Sequence, residues 1–255
     1  MAVSLNLTHC TLTGVDASTA LEDICSLSAS FPLVEWGFLY SPKREGQPGR
    51  YPSITMLAEA FGALPANVRV AMHVCGDGVP HLLSGCANEI RLLELVAARR
   101  GRIQLNFNQR RQPVDLGRLV DLLKAYPETT FITQENEANL GVWEYLAQRG
   151  ITNHSVLFDG SGGRGILCAE WPARLPIACG YAGGLGPDNL QVQLQHIAGV
   201  ALARSTWVDM EGQLRRTDEN GNDWLDLAAC RACLEAVQAH LNHSHTQTQT
   251  QTVPQ

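Results

Sequence analysis

The chain has 255 residues, of which 45% are hydrophobic and 17% are charged. This composition is typical of a globular protein and excludes a disordered chain. Lys and Arg total 19 against 25 Asp and Glu, so the formal net charge is −6. Nucleic acids and anionic membranes require a basic face, so neither is expected as a partner.

No apolar run approaches the ~20 residues that a membrane helix needs. The first Lys or Arg is Lys43, so the amino-terminal segment lacks the basic start of a secretion signal. These features predict a cytoplasmic protein. Its eight cysteines are therefore expected to be reduced thiols, most of them buried as small hydrophobic residues.

Short apolar runs alternate with helical patterns along the chain. The predicted strands cover residues 3–7, 33–40, 68–74, 103–107, 130–134, 155–158, 176–179 and 206–210. Each is followed by a predicted helical element, at 20–27, 54–61, 89–98, 114–126, 139–148, near Trp171, at 190–201 and at 224–241. Eight strand–helix pairs in a chain of this length predict a single (β/α)₈ TIM barrel over residues 1–241.

The same pattern leaves one alternative architecture open, and the carboxyl-terminal tail carries a separate prediction. A doubly wound open sheet is the alternative architecture for the same alternation of elements. The tail at residues 242–255 is of low complexity and has no apolar residue before Val253. We therefore predict that this tail is disordered.

Alternate residues of a strand face opposite sides, so the residues between the apolar, helix-facing positions must point into the barrel. On the first strand, Val3, Leu5 and Leu7 would face the helices and Cys10 would point inward. The other residues expected to point inward, or to end a strand at this edge, are His73, Cys75, Gln104, Asn106, Gln134 and Asp159. Barrel enzymes have their active sites at the carboxyl ends of the strands, so a polar pocket is expected there. The alternative is a hydrogen-bonded plug without a catalytic role.

Two glycine-rich stretches follow predicted strands, at residues 159–165 and 180–189. Glycines allow backbone N–H groups to approach a phosphate, and this fold usually binds phosphate after strands seven and eight. The predicted phosphate-binding residues are Gly163, Gly183, Gly184 and Gly212. Simple tight turns are the alternative interpretation.

Several local patterns together resemble one family, phosphoribosylanthranilate isomerase of tryptophan biosynthesis. They are the residues 37–40, 49–53, 103–106, 157–159, 162–165, Trp171 and 182–189. The similarity is strongest between residues 157 and 190. Asn106 stands where the family has His, and Thr11 follows Cys10 where the family has Gly.

The resemblance implies an Amadori rearrangement of N-(5-phosphoribosyl)anthranilate to the 1-deoxyribulose aminoketose. It implies that Asp159 is the general acid, that Cys10 is the general base and that Arg50 binds the anthranilate carboxylate. His73 or Cys75 are alternatives for the base. The other inward polar residues, His73, Gln104, Asn106 and Gln134, are expected to bind this small phosphorylated substrate. No metal and no cofactor are expected, and the protein would be a monomer or a homodimer.

Two departures from the family pattern suggest a different substrate. Glu211, with Asp209 near it, lies beside Gly212, where a negative charge repels phosphate unless it turns away or pairs with Arg215. The loop before Arg50 also carries extra residues, 43–48. A barrel that binds a phosphorylated or carboxylated small molecule without turnover therefore remains an alternative.

The sequence lacks the residues that other classes of barrel enzyme need. A Schiff-base aldolase needs a strand lysine, whereas Lys43 lies in a predicted loop and Lys124 in a predicted helix. A metal-dependent epimerase needs several inward ligands, and His73 alone qualifies clearly. Cys230 and Cys233 share one face of the last helix and are expected to be core residues. No Gly-x-Gly-x-x-Gly fingerprint follows the first strand, so no dinucleotide is indicated.

Overall fold

Eight parallel strands close into a barrel in the computed structural model, which describes residues 5–47 and 49–249, the last seven by backbone only. The strands are β1 (Asn6–Thr13), β2 (Val34–Tyr40), β3 (Arg69–Cys75), β4 (Arg102–Asn106), β5 (Thr130–Glu135), β6 (His154–Phe158), β7 (Cys179–Ala182) and β8 (Ser205–Met210). Each strand pairs with the next, and β8 pairs with β1. The predicted (β/α)₈ barrel is confirmed, and the open-sheet alternative is excluded.

Helices cover the outside of the barrel. They are α1 (Leu21–Ser30), α2 (Ile54–Ala63), α3 (Gly78–Leu83), α4 (Ala87–Ala98), α5 (Leu116–Ala125), α6 (Val142–Ala147), α7 (Leu190–Ala201) and α8 (Leu227–Gln249). The amino-terminal N–H groups of α2 and α5 are capped by the side chains of Ser53 and Asp115. The amphipathic α5 buries Leu119, Leu122 and Leu123 in the hydrophobic core. None of the described helices is both long enough and apolar enough to cross a membrane.

No regular element lies between β6 and β7, although the sequence pattern predicts a short one near Trp171. Four glycines and two prolines between residues 160 and 176 disfavour a helix there. The Trp171 ring instead packs edge-on against Tyr181 of β7, with 5.7 Å between ring centroids, and its Nε1 donates to Gln193 of α7. The Trp171 side chain thus occupies part of the position where a helix was predicted.

The short elements that were not predicted include one helix and two strands. Helix α3 precedes α4, and a hairpin of β9 (Arg215–Thr217) and β10 (Asp223–Leu225) follows β8. Trp224, predicted to begin the last helix, lies in β10. Helix α8 continues to Gln249, past the predicted end at Leu241, while residues 250–255 of the predicted disordered tail lie outside the described residues.

A buried ion pair fills the amino-terminal end of the barrel. Glu35 of β2 accepts from Arg102 Nε at 2.8 Å and from Thr11 Oγ1 at 2.9 Å. The Arg102 guanidinium also lies 4.7 Å from the centroid of the Trp207 ring. The Trp207 indole occupies the space that a β-carbon on Gly180 would need, so this position requires glycine.

The prediction that Cys10 points into the barrel is wrong. The pairing of β1 with β8 shifts register between Leu7 and His9, and this irregularity reverses the alternation beyond it. Thr11 and Thr13 therefore face inward, whereas Cys10 is fully buried in the hydrophobic core near Cys230 and Cys233 of α8. Cys230 and Cys233 are core residues, as predicted.

Candidate functional site

A cavity of about 310 Å³ opens at the carboxyl ends of the strands. Of the residues that the sequence pattern placed in a site, those lining it are Arg50, His73, Gln104, Asn106, Gln134, Asp159, Gly163, Gly183, Gly184 and Gly212. Cys10 does not line it. Further lining residues that sequence reasoning did not assign to the site include Thr13, Arg164, Asp209 and Gln213. The size and the convergent polar groups are typical of a small-molecule site.

Asp159, at the end of β6, is held by hydrogen bonds to both carboxylate oxygens. Oδ1 accepts from Ser161 N at 3.1 Å and from Ser161 Oγ at 2.7 Å, and Oδ2 accepts from Gln134 Nε2 at 2.9 Å and Gly163 N at 2.7 Å. These bonds fold residues 159–163 into a tight turn. Gly163 lines the cavity, but its N–H is directed at Asp159, so the structure does not offer it to a phosphate.

The second glycine-rich loop packs directly on the first. Gly184 has φ +65°, and a β-carbon there would overlap the backbone of Leu167. Only glycine therefore allows residues 183–184 to lie against residues 166–167. Asn189 fixes the far end of this loop, because its Nδ2 donates to Gly184 O at 2.8 Å and its Oδ1 accepts from Gly186 N at 3.1 Å.

Arg50 reaches the cavity from the loop before α2 and pairs with two acidic side chains. Its Nη1 lies 2.6 Å from Glu211 Oε1, and its Nε lies 3.2 Å from Asp223 Oδ2. Glu211 thus pairs with Arg50, and Arg215 pairs instead with Asp16 and Asp223. Because Arg50 offsets its charge, Glu211 does not leave an unpaired anion beside Gly212.

Three polar side chains from β3 and β4 form a hydrogen-bonded row. Gln104 Nε2 donates to Asn106 Oδ1 at 3.0 Å and lies 3.3 Å from His73 Nδ1. An amide N–H can only donate, so Nδ1 is the acceptor and the imidazole carries its proton on Nε2. Burial lowers the pKa of His73 to about 4, so the ring is neutral near neutral pH.

His73 Nε2 is buried and has no hydrogen-bond partner among the described residues. It lies 3.8 Å from Asp209 Oδ2. A buried N–H without a partner is unfavourable by ~1–3 kcal/mol, and a bound ligand would satisfy it. His73 is therefore placed to donate a hydrogen bond to a molecule in the cavity.

Asp209 is the most perturbed carboxyl group in the cavity. Burial raises its pKa to about 8; the hydrogen bond from Thr13 Oγ1 at 2.8 Å acts in the opposite direction, and the nearby Glu211 charge adds to the rise. The group is therefore mainly protonated near neutral pH. Asp209 lies between Val208 and Met210 on β8, so its inward position follows from the alternation of side chains along a strand. The sequence pattern, however, indicated Asp209 only as a negative charge that would repel phosphate.

Several solved structures have a similar fold. TrpF from Jonesia denitrificans has a TM-score of 0.57 at 12% identity, covering 93% of this chain and 98% of its own. A phosphoribosyl anthranilate isomerase in complex with reduced 1-(o-carboxyphenylamino)-1-deoxyribulose 5-phosphate has a TM-score of 0.52 at 13% identity, covering 92% and 99%.

The fold is also shared with an enzyme of different chemistry. Phospho-2-dehydro-3-deoxyheptonate aldolase from Thermotoga maritima has a TM-score of 0.50 at 15% identity, covering 94% of this chain and 69% of its own. No family model and no curated protein matches the chain. These similarities show a TIM barrel of the kind found in phosphoribosylanthranilate isomerases, and the activity has to be argued from the site.

Proposed function

We propose that this protein is an isomerase of the phosphoribosylanthranilate type, which converts an N-substituted phosphoribosylamine into the corresponding 1-deoxyribulose aminoketose. The observation that carries the proposal is Asp209, a protonated carboxyl group beside the unpartnered Nε2 of His73 in a polar cavity. Pairs of titratable groups with pKa values shifted apart are typical of acid–base sites.

The rearrangement needs a proton at the ring oxygen and then the removal of the C2 proton. The Asp209 carboxyl donates its proton while the bond from C1 to the ring oxygen breaks and an iminium forms at C1. The resulting Asp209 carboxylate takes the C2 proton, and the C–H electron pair forms the enolamine. Transfer of the enol proton to C1 then gives the ketone. His73 Nε2–H donates to a substrate oxygen during these steps.

The phosphate end is assigned to the loops after β7 and β8. Gly183, Gly184 and Gly212 bring backbone to the cavity wall, and the Arg164 side chain adds a positive charge there. Arg164 Nε donates to Ser161 O at 2.7 Å, which fixes the side chain beside the loop. Gly163 is excluded as a donor in this assignment because its N–H binds Asp159.

One alternative is binding without turnover. Two observations favour it: Cys10 lies outside the cavity, and Asp159 is occupied as the cap of a turn. The test is to measure both turnover of N-(5-phosphoribosyl)anthranilate and binding of its reduced product analogue. Turnover supports the isomerase, whereas binding without turnover supports the alternative. If the protein neither binds the analogue nor turns over the substrate, both the isomerase proposal and the binding alternative are contradicted.

The rate of turnover should depend on pH through Asp209. Because its pKa is raised to about 8, the acid form is present below that pH and is lost above it. We therefore expect kcat to fall about tenfold per pH unit above this pKa, since only the protonated fraction can start the reaction. A kcat that stays constant across this range would contradict the assignment of Asp209 as the acid.

The role of Arg50 can be separated from that of its partner. Arg50→Ala should weaken binding of the reduced analogue by about 10-fold or more, because a charge-assisted hydrogen bond contributes ~1.5–3 kcal/mol. If Arg50 only offsets Glu211, the double variant Arg50→Ala/Glu211→Ala regains the wild-type affinity. If Arg50 also binds the substrate carboxylate, as we expect, the double variant stays weak. Isothermal titration calorimetry of the three proteins decides between these results.

A further inference from the structure

A second cluster of chemically active side chains lies outside the cavity, where α3 meets α4. His81 is in α3, Cys86 is the amino-terminal cap residue of α4, and Glu89 is in the first turn of α4. One ligand atom from each residue lies within 4.8 Å of the other two. His81 Nδ1 and Glu89 Oε1 are 3.3 Å apart. None of the three lines the cavity described above.

The carboxylate of this cluster is buried without a permanent positive charge beside it. The Glu89 side chain is only 4% exposed, and across the described side chains its one ion-pair partner is His81, which is charged only when protonated. Tyr40 OH also donates to Glu89 Oε1 at 2.9 Å. A buried carboxylate is unfavourable unless a cation or several donors offset its charge. A cation bound by Glu89 would offset this charge.

The three ligand types narrow the identity of that cation. Imidazole nitrogen, thiolate sulfur and carboxylate oxygen are the ligands that Zn²⁺ takes in proteins, in a tetrahedral arrangement with the fourth position open or held by water. His81 has a side chain that is 49% exposed, so it can rotate to close the remaining distance to a shared ion. The hard cations Mg²⁺ and Ca²⁺ prefer oxygen ligands and fit this set poorly.

We propose that His81, Cys86 and Glu89 form a Zn²⁺ site that fastens the end of α3 to the start of α4. Cys86 binds as the thiolate, so its proton is released to solvent when the metal binds. Tyr40 acts from outside the ligand set by orienting the Glu89 carboxylate, as outer partners do in other zinc sites. Neither the sequence patterns nor the proposed isomerase activity requires this site.

The test uses the full chain after treatment with a chelator, titrated with Co²⁺ and then Zn²⁺. Co²⁺ should bind with one equivalent per chain and give a thiolate-to-cobalt charge-transfer band, which Zn²⁺ abolishes by replacement. Cys86→Ser should lose the band, and because Cys86 is exposed this variant is expected to fold. Cys168→Ser is the matched control and should keep the band. Circular dichroism checks the fold of both variants.

Two further variants test the geometry. His81→Ala and Tyr40→Phe should each weaken Zn²⁺ binding by about 10- to 100-fold or more in a competition with a chromophoric chelator. Zn²⁺ should also raise the melting temperature of the wild type and not that of Cys86→Ser. The proposal is overturned if the wild type binds no Co²⁺, or if the thiolate band survives in Cys86→Ser. Both results are independent of the isomerase assay.

Discussion

Replacing Asp209 with Asn is expected to lower kcat by about 10²- to 10⁴-fold, the range that a positioned general acid or base contributes. The amide has nearly the same shape and can still accept the hydrogen bond from Thr13 Oγ1, so the cavity should keep its form. It cannot donate and take back a proton. Affinity for the reduced analogue should therefore stay within a few-fold of the wild type, and steady-state kinetics with calorimetry checks both values.

Asp159→Asn is the matched control for this variant. Asp159 accepts four hydrogen bonds from Ser161, Gln134 and Gly163. The NH₂ group of the new amide would face some of these donors and could not accept their hydrogen bonds. Some loss of activity through the loop is therefore expected, but the fall of kcat above the pKa of Asp209 should persist. If Asp209→Asn stays active while Asp159→Asn is inactive, then Asp159 is the acid, as the family resemblance implies.

Breaking the ion pair between Arg102 and Glu35 is expected to have the largest effect on stability. Burial alone would raise the pKa of Glu35, but the adjacent Arg102 lowers it to about 2, so the pair is fully formed at neutral pH. Its stabilising contribution is complete above the ordinary pKa of Glu35 and is lost as the pH falls towards about 2. Arg102→Leu or Glu35→Leu leaves one buried charge without its partner and should lower the free energy of unfolding by ~3–5 kcal/mol.

The double variant Arg102→Leu/Glu35→Leu distinguishes the pair from simple packing. With both charges removed, the loss should be much smaller than the sum of the single losses, because no unpaired charge remains. Urea unfolding at neutral pH measures the free energy of unfolding of the wild type, the two single variants and the double variant. Additive losses in the double variant, or single losses below ~1 kcal/mol, would show that the pair is not the main support of this end of the barrel.

The amino-acid sequence is informative where the position of a residue in its strand alone decides whether its side chain points into the barrel. Strands buried on both faces read as apolar runs, so the polar exceptions Gln104, Asn106 and Gln134 can be assigned to the cavity from the sequence alone. The glycine-rich loops can be recognised for a similar reason, since repeated glycines mark close backbone contact. These are local properties of the chain.

The remaining features depend on contacts between distant residues. The irregular pairing of β1 with β8 moves Cys10 to the helix side, and nothing in the sequence of β1 alone reveals it. Arg50 and Glu211 are 161 residues apart, so their pairing could not be deduced from spacing. The raised pKa of Asp209 arises from burial by the whole barrel end. Each of these features changes the assignment of a site residue.

A crystal structure with reduced 1-(o-carboxyphenylamino)-1-deoxyribulose 5-phosphate tests the central claim most directly. We expect the phosphate against the backbone of residues 183–184 and 212, with the Asp209 carboxyl group and His73 Nε2 in hydrogen-bond contact with the sugar-derived chain. A ligand bound elsewhere, or one bound in the cavity with Asp209 and His73 touching none of its atoms, would contradict the proposed chemistry.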